Sequence, residues 1–169
     1  MDRRLFEQDS PVLSRSLEYA RKIEESHIIV FSLKKHNLPY KNVGNLHIYP
    51  TNSISRWLYM RDAVKIGREI LLKNALNKGD SVITTQDPFE TGLVGCRLKK
   101  MFCIPLQIQI HTDFLSSYFK NSFLNYIRVW ISNFTIPKAD GIRVVSSVIA
   151  DSVKKEFPDI KAKIAHVHK

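Results

Sequence analysis

Apolar residues along the chain fall into two alternating patterns. Short β-branched runs give way to longer stretches in which apolar positions recur every three or four residues. The first pattern is that of a buried strand, the second that of an amphipathic helix. Asp9-Ser10-Pro11 offers a capping side chain followed by proline in a first turn. A helix is therefore predicted over 10–25, with Leu13, Leu17, Ala20 and Ile23 on one face. His27 to Leu33 reads as a buried strand, Lys34 to Asn42 as a loop, and Gly44 to Tyr49 as a second short strand. Asn52 or Ser53 can cap a long helix to about Asn77, along which Trp57, Met60, Val64, Gly67, Leu71 and Ala75 follow helical steps. Lys78-Gly79-Asp80 ends it. Further strands are predicted over 81–86, 105–111, 141–146 and 163–167, separated by helices over 87–101, 115–136 and 147–157.

This alternation predicts an α/β fold: a Rossmann-like, mostly parallel sheet with helices on both faces. One sheet is expected to hold 27–33, 81–86, 105–111, 141–146 and 163–167, with 44–49 toward its edge. Ligands of such sheets bind outside the carboxyl ends of the strands. The residues to weigh are therefore Gln86-Asp87, His111-Thr112-Asp113, Ser146-Ser147 and Val167-His168.

His111 follows an apolar strand and can donate a hydrogen bond or a positive charge to a phosphate or a sugar hydroxyl. Asp113 can accept bonds from hydroxyls, or merely cap the helix expected after it. Asp87 and Pro88 suit a helix start without any function, whereas Gln86 at the strand tip and Glu90 in the first turn are freer. Ser146 reads first as an N-cap, and the amides of that helix start could receive an anion. His111 with Asp113, and His166 with His168, are i, i+2 pairs. Neither has a third ligand at a recognisable spacing, so no metal site is assigned. In the helix predicted over 115–136, Phe119, Phe123, Tyr126, Trp130 and Phe134 form one stripe, widened by Leu124, Ile127 and Ile131. Such stripes usually face a core, so most of this one is expected to be buried. The alternative is a hydrophobic surface for a lipid acceptor or a membrane, assisted by Lys120 and Arg128.

Composition narrows the function classes. The 169 residues carry 26 basic and 16 acidic side chains, a formal net charge of +10, which suits a polyanionic partner. The basic residues are scattered, and no helix-turn-helix, zinc knuckle or RNP-like pattern supports nucleic acid. No two of the six glycines are spaced G-x-G and none opens G-x-x-x-x-G-K, which excludes the dinucleotide fingerprint and the P-loop as written. Cys96 and Cys103 read as two ordinary thiols. The start MDRRLFEQDSP lacks an apolar core segment for a secretory signal, and a cytoplasmic location is expected.

The ordered segments SVITT-QDPFETGLVG, PLQIQIHTDF and IPKADGIRVVSSVIADSV resemble the N-terminal domain of family 4 glycosyltransferases of the GT-B fold. The opening DRRLFEQDSPVLSRSLEYARKIEE, followed by HIIVFSL, is similar to the first loop, first helix and second strand of that domain. The resemblance implies the acceptor-side half of a hexosyltransferase-type enzyme. Such an enzyme moves a sugar from a nucleotide-sugar donor to an acceptor hydroxyl with retention, without a cofactor or an obligate metal. It places His111 near the donor sugar and its phosphates as the catalytic histidine, and Gln86, Asp87 and Asp113 on the acceptor side of the cleft. Its implied partners are the donor, held mainly by a second domain, and a sugar or lipid-linked acceptor. Weak peripheral attachment to the inner face of an anionic membrane is a further expectation. By the same comparison the chain is expected to be one domain, 1–169, incomplete at both ends. A first strand would be missing between 27–33 and 81–86, so that these stand apart or pair directly, and the chain alone would be inactive. The competing reading is a non-catalytic basic α/β module that binds anions or nucleic acid.

Overall fold

A computed structural model describes residues 3–166. The chain divides into two compact units, 1–74 and 75–169.

In the first unit, helix α1 (Pro11–Ala20) begins as its sequence predicts. Ser10 Oγ accepts from Leu13 N–H at 3.1 Å, and Pro11 stands in the first turn. Its inner face, Leu13 and Ala20, packs with Leu5, Val30, Leu46 and Ile48 in the unit's core. Strand β1 (Ser26–Val30) runs parallel to β3 (Leu46–Pro50), and β3 pairs antiparallel with β2 (Lys41–Val43). The strand expected over 44–49 is thus central in its sheet, not at the edge. Its edge neighbour comes from the stretch expected to be a loop. Gly44, at φ +63°, and Asn45 make the two-residue connection that folds β2 back onto β3. Asn45 Nδ2 also donates to the carbonyls of Ala20, Ile23 and Glu24, closing the end of α1. Helix α2 (Tyr59–Lys73) starts later than expected, after a 3-10 turn, and leaves Trp57 almost fully exposed. Asn52 caps nothing there, because its Nδ2 donates to Leu38 O and its N–H to Ser32 Oγ.

The second unit holds a four-stranded parallel sheet, β4 (Ile83–Thr85), β5 (Leu106–Ile110), β6 (Gly141–Val144) and β7 (Lys163–His166), in that spatial order. Its apolar face, including Leu106, Ile108, Ile110, Ile142 and Val144, is buried with α3 (Glu90–Phe102) and α5 (Ser147–Glu156). The chain is therefore α/β with a Rossmann-like parallel sheet. The expected single sheet is, however, two: β1 and β4 lie in different sheets and do not pair with each other. Val167, the last residue of the strand expected over 163–167, lies outside the described residues.

Helix α4 (Phe123–Thr135) corrects a boundary and a burial expectation. Residues 114–122 form turns, not the start of a helix. Phe114 packs edge-on to Phe89 with ring centroids 5.6 Å apart, and Phe119 stacks on the same ring at 5.5 Å. Residues five apart on a helix point about 140° from each other, so one ring cannot receive both from a helix. Ser122 Oγ then accepts from Asn125 N–H and opens α4. The aromatic stripe expected to be buried is not: Phe123 is 81%, Tyr126 59%, Trp130 73% and Phe134 51% exposed. The face turned inward carries Ser132 and Thr135 instead.

Candidate functional site

Three adjacent parallel strands end in candidate residues. Gln86 and Asp87 follow β4, His111 follows β5, and Ser146 follows β6, all at the carboxyl edge of one sheet. Hydrophobic burial of alternate residues in β4, β5 and β6 locks this edge in place, with Ile108 facing Ile142 and Ile110 facing Val144 across the ladder.

His111 is exposed at its strand tip. Partial desolvation of the ring, and then the Arg143 cation, hold its pKa below the ordinary histidine value, while the Asp87 charge opposes them. The imidazole is therefore neutral at neutral pH, with one nitrogen able to donate and the other to accept. Arg143 was not among the residues chosen from the sequence. It stands opposite Gln109 in the β5–β6 register, and its Nη1 lies 3.5 Å from Gln109 Oε1. The signal was present in the strand sequences. LQIQI and GIRV each alternate apolar with polar residues, which marks one face of this sheet as polar.

Asp87 closes the start of α3. Its Oδ1 accepts from Phe89 N–H at 2.8 Å and Thr91 N–H at 3.3 Å, and Thr91 Oγ1 donates to its carbonyl. Burial, its largest influence, raises the pKa of this carboxyl. The capping reading of Asp87 thus accounts for its bonds. Ser146 is likewise the N-cap of α5, accepting from Ile149 N–H at 3.3 Å. Asp113 is different. No helix follows it, its carbonyl takes the Ser116 hydroxyl at 2.8 Å, and its side chain stays half-buried at the same edge as His111. Gln86 is exposed. Glu90 is not free: Arg128 Nε donates to its Oε1 at 3.1 Å, with the guanidinium 5.9 Å from the Phe89 ring centre.

The geometry brings Arg143 and Asp87 within electrostatic reach of His111, and Gln86, Asp113 and Ser146 stand along the same rim. A hollow lined by Pro137, Phe157, Asp159 and Lys161 lies after α5, toward the opposite edge, and takes no part in this arrangement. Among the described residues no three His, Cys, Asp or Glu side chains gather as a metal site; His168 and the side chain of His166 lie outside them. Cys96 is buried and Cys103 exposed, both as free thiols.

A parallel Rossmann-like sheet with a polar rim at its carboxyl edge is an α/β arrangement that fits half of a GT-B enzyme. The model of Glycosyltransferase Family 4 matches residues 16–169, and the chain belongs to that family. Compared with curated proteins, it has no match. No helix among the described residues is long and apolar enough to cross a membrane.

Proposed function

We propose that the whole chain is the acceptor-side domain of a hexosyltransferase, and that sugar transfer from a nucleotide-sugar donor to an acceptor hydroxyl proceeds at the carboxyl edge of β4–β6 with retention. The observation that supports this most is the neutral, exposed His111 beside Arg143 at a strand tip, in a chain of this family. His111 donates a hydrogen bond to the donor sugar or its phosphate, and Arg143 balances the phosphate charge. Gln86 and Asp113, exposed or half-buried and without a capping duty, orient the acceptor hydroxyls. Asp87 and Ser146 hold their helix starts and line the rim through their backbone.

Titration of the isotope-labelled chain with a hexose 1-phosphate tests the reading. The His111 ring signals and the Arg143 side-chain signals shift together, and His111→Ala weakens binding about tenfold, the loss of one charge-assisted hydrogen bond. The thermal midpoint of the variant stays near that of the parent, because the ring is exposed. Shifts confined to the hollow around Phe157, or unchanged affinity in the variant, would sink the assignment.

A further inference from the structure

Helix α4 is inverted relative to the fold around it. Taking Ser132 as the inward direction, Asn125, Arg128, Val129 and Thr135 lie within about 60° of it at 100° per residue, and of these only Val129 is apolar and packs on the core. Phe123, Ile127, Trp130 and Phe134 cluster on the opposite side. The inward positions carry the polar contacts: Thr135 Oγ1 donates to Pro88 O, and Arg128 pairs with Glu90. The outward positions, flanked by Tyr126 and Leu124, are exposed apolar side chains. Four aromatics at these exposures amount to on the order of 500 Å² of apolar surface, at the upper end of what a monomer leaves uncovered.

Charge identifies the occupant. From Phe114 to Ala139 there is no Asp or Glu, while Lys120, Arg128 and Lys138 are present. Arg128 is committed to Glu90, so the available cations are Lys120 before the helix and Lys138 just after it. Lys138 Nζ bonds the Phe134 carbonyl and lies 3.1 Å from the centre of the Phe134 ring, at the margin of the apolar face. A second copy docked face to face would set these cations against their equivalents with no acid to pair them. A surface with an apolar interior and anionic phosphates at its boundary matches both features. Trp and Tyr beside Lys is also the composition that settles at a lipid headgroup boundary.

We infer that α4 is an interfacial anchor: it lies flat on an anionic phospholipid bilayer, with Phe123, Trp130 and Phe134 among the upper acyl chains and Lys120 and Lys138 on headgroup phosphates. This does not rest on the transferase reading, since it uses neither His111 nor the strand tips. It would hold the domain at a membrane whatever the acceptor is.

The test uses the whole chain with Trp57→Phe, so that Trp130 is the only tryptophan. Sucrose-loaded vesicles of phosphatidylcholine are compared with vesicles of a phosphatidylcholine–phosphatidylglycerol mixture. The chain sediments with the mixed vesicles, Trp130 emission moves to the blue, and bromine-labelled acyl chains quench it. In the parent chain, Trp130→Ser with Phe134→Ser lowers partitioning about a hundredfold, roughly tenfold for each aromatic. Lys120→Gln and Lys138→Gln lower it about fivefold each, at low salt only. Circular dichroism confirms that each variant stays folded. Equal binding to both vesicle types overturns the anionic surface, as unchanged partitioning of the double serine variant overturns α4. Failure to bind vesicles, with self-association of the chain abolished by the serine substitutions, would assign the face to a second copy.

Discussion

Helices α3 and α4 are both 13 residues long, lie against each other in one unit, and dispose of their apolar residues in opposite ways. Helix α3 buries Val94, Cys96 and Leu98 and comes so close to its neighbours that two glycines are buried in the contacts, Gly95 against Thr85 and Leu106 of the sheet and Gly92 against Thr135 of α4. Helix α4 turns a serine and a threonine inward and leaves its aromatics in water. The close approach of α3 explains the difference. Where Gly92 faces Thr135, a Cβ on the glycine would already touch the threonine side chain at 3.4 Å, so at this point the helix–helix contact is filled by small residues, and the rings of α4 lie on its other side. An apolar stripe thus marks the helical period without saying on which side the core lies.

The sharpest way to break the comparison is to fill the α3 contact. A Cβ on Gly95 would meet Thr85 Cγ2 at 2.6 Å and Leu106 Cδ1 at 2.7 Å, and both neighbours are buried. Gly95→Val should cost about 3 kcal/mol, which overrides the better helix propensity of valine, and lower the midpoint by roughly 6–12 °C. A thermal melt reads this directly. A variant as stable as its parent would mean that α3 does not pack as described.

Next in size is the joint that ties the two helices to the sheet. Lys99 of α3 donates to the Lys138 carbonyl and to Asp140 Oδ2, and the same oxygen accepts from Leu106 N–H at 2.7 Å. Asp140→Ala leaves a fully buried residue's N–H without a partner and should cost about 1–3 kcal/mol in urea unfolding. Partial burial alone would raise the Asp140 pKa, but the bonds from Lys99 and Leu106 outweigh it and hold the carboxyl below the ordinary value. The folded-state pKa is depressed, so this stabilisation is present above about pH 4 and is lost as the pH falls through the folded-state value. In the variant, that part of the acid loss should disappear. An unchanged acid limb would show that Asp140 contributes nothing by its charge.

The smallest effect belongs to the outer face of α4, where the comparison is sharpened by what fails to happen. Phe123→Ser or Trp130→Ser should change stability by no more than about 0.5 kcal/mol in the absence of lipid. Losses of about 3 kcal/mol, as for buried aromatics, would place these rings in a core after all.

Much of the candidate site was legible because strand ends are marked by sharp composition changes. An apolar run followed by His111-Thr112-Asp113 locates a strand tip, and parallel pairing then puts it beside Gln86 and Ser146. The capping duties of Ser10, Asp87 and Ser146 are local and were readable from the residue types alone. Arg143 was missed because its importance depends on register: only pairing with Gln109 brings it to the rim. Of the two readings open for Asp113, the cap is the one that fails: Phe114 and Phe119 pack on one ring, and the chain after Asp113 forms turns instead of a helix.

Local periodicity and capping chemistry determined, by themselves, that this is an α/β chain with a parallel sheet, where most strands and helices lie, and which residues stand at the strand ends. These features rest on contacts between near neighbours in the chain, and near neighbours are what a sequence displays. The tertiary structure alone decided that β1 and β4 belong to separate sheets, that β3 is central in its own, and that the aromatic face of α4 points outward. Each of these depends on which distant surface a segment meets. For α4 that surface is the contact with α3, where Thr135 meets Gly92 and Arg128 pairs with Glu90.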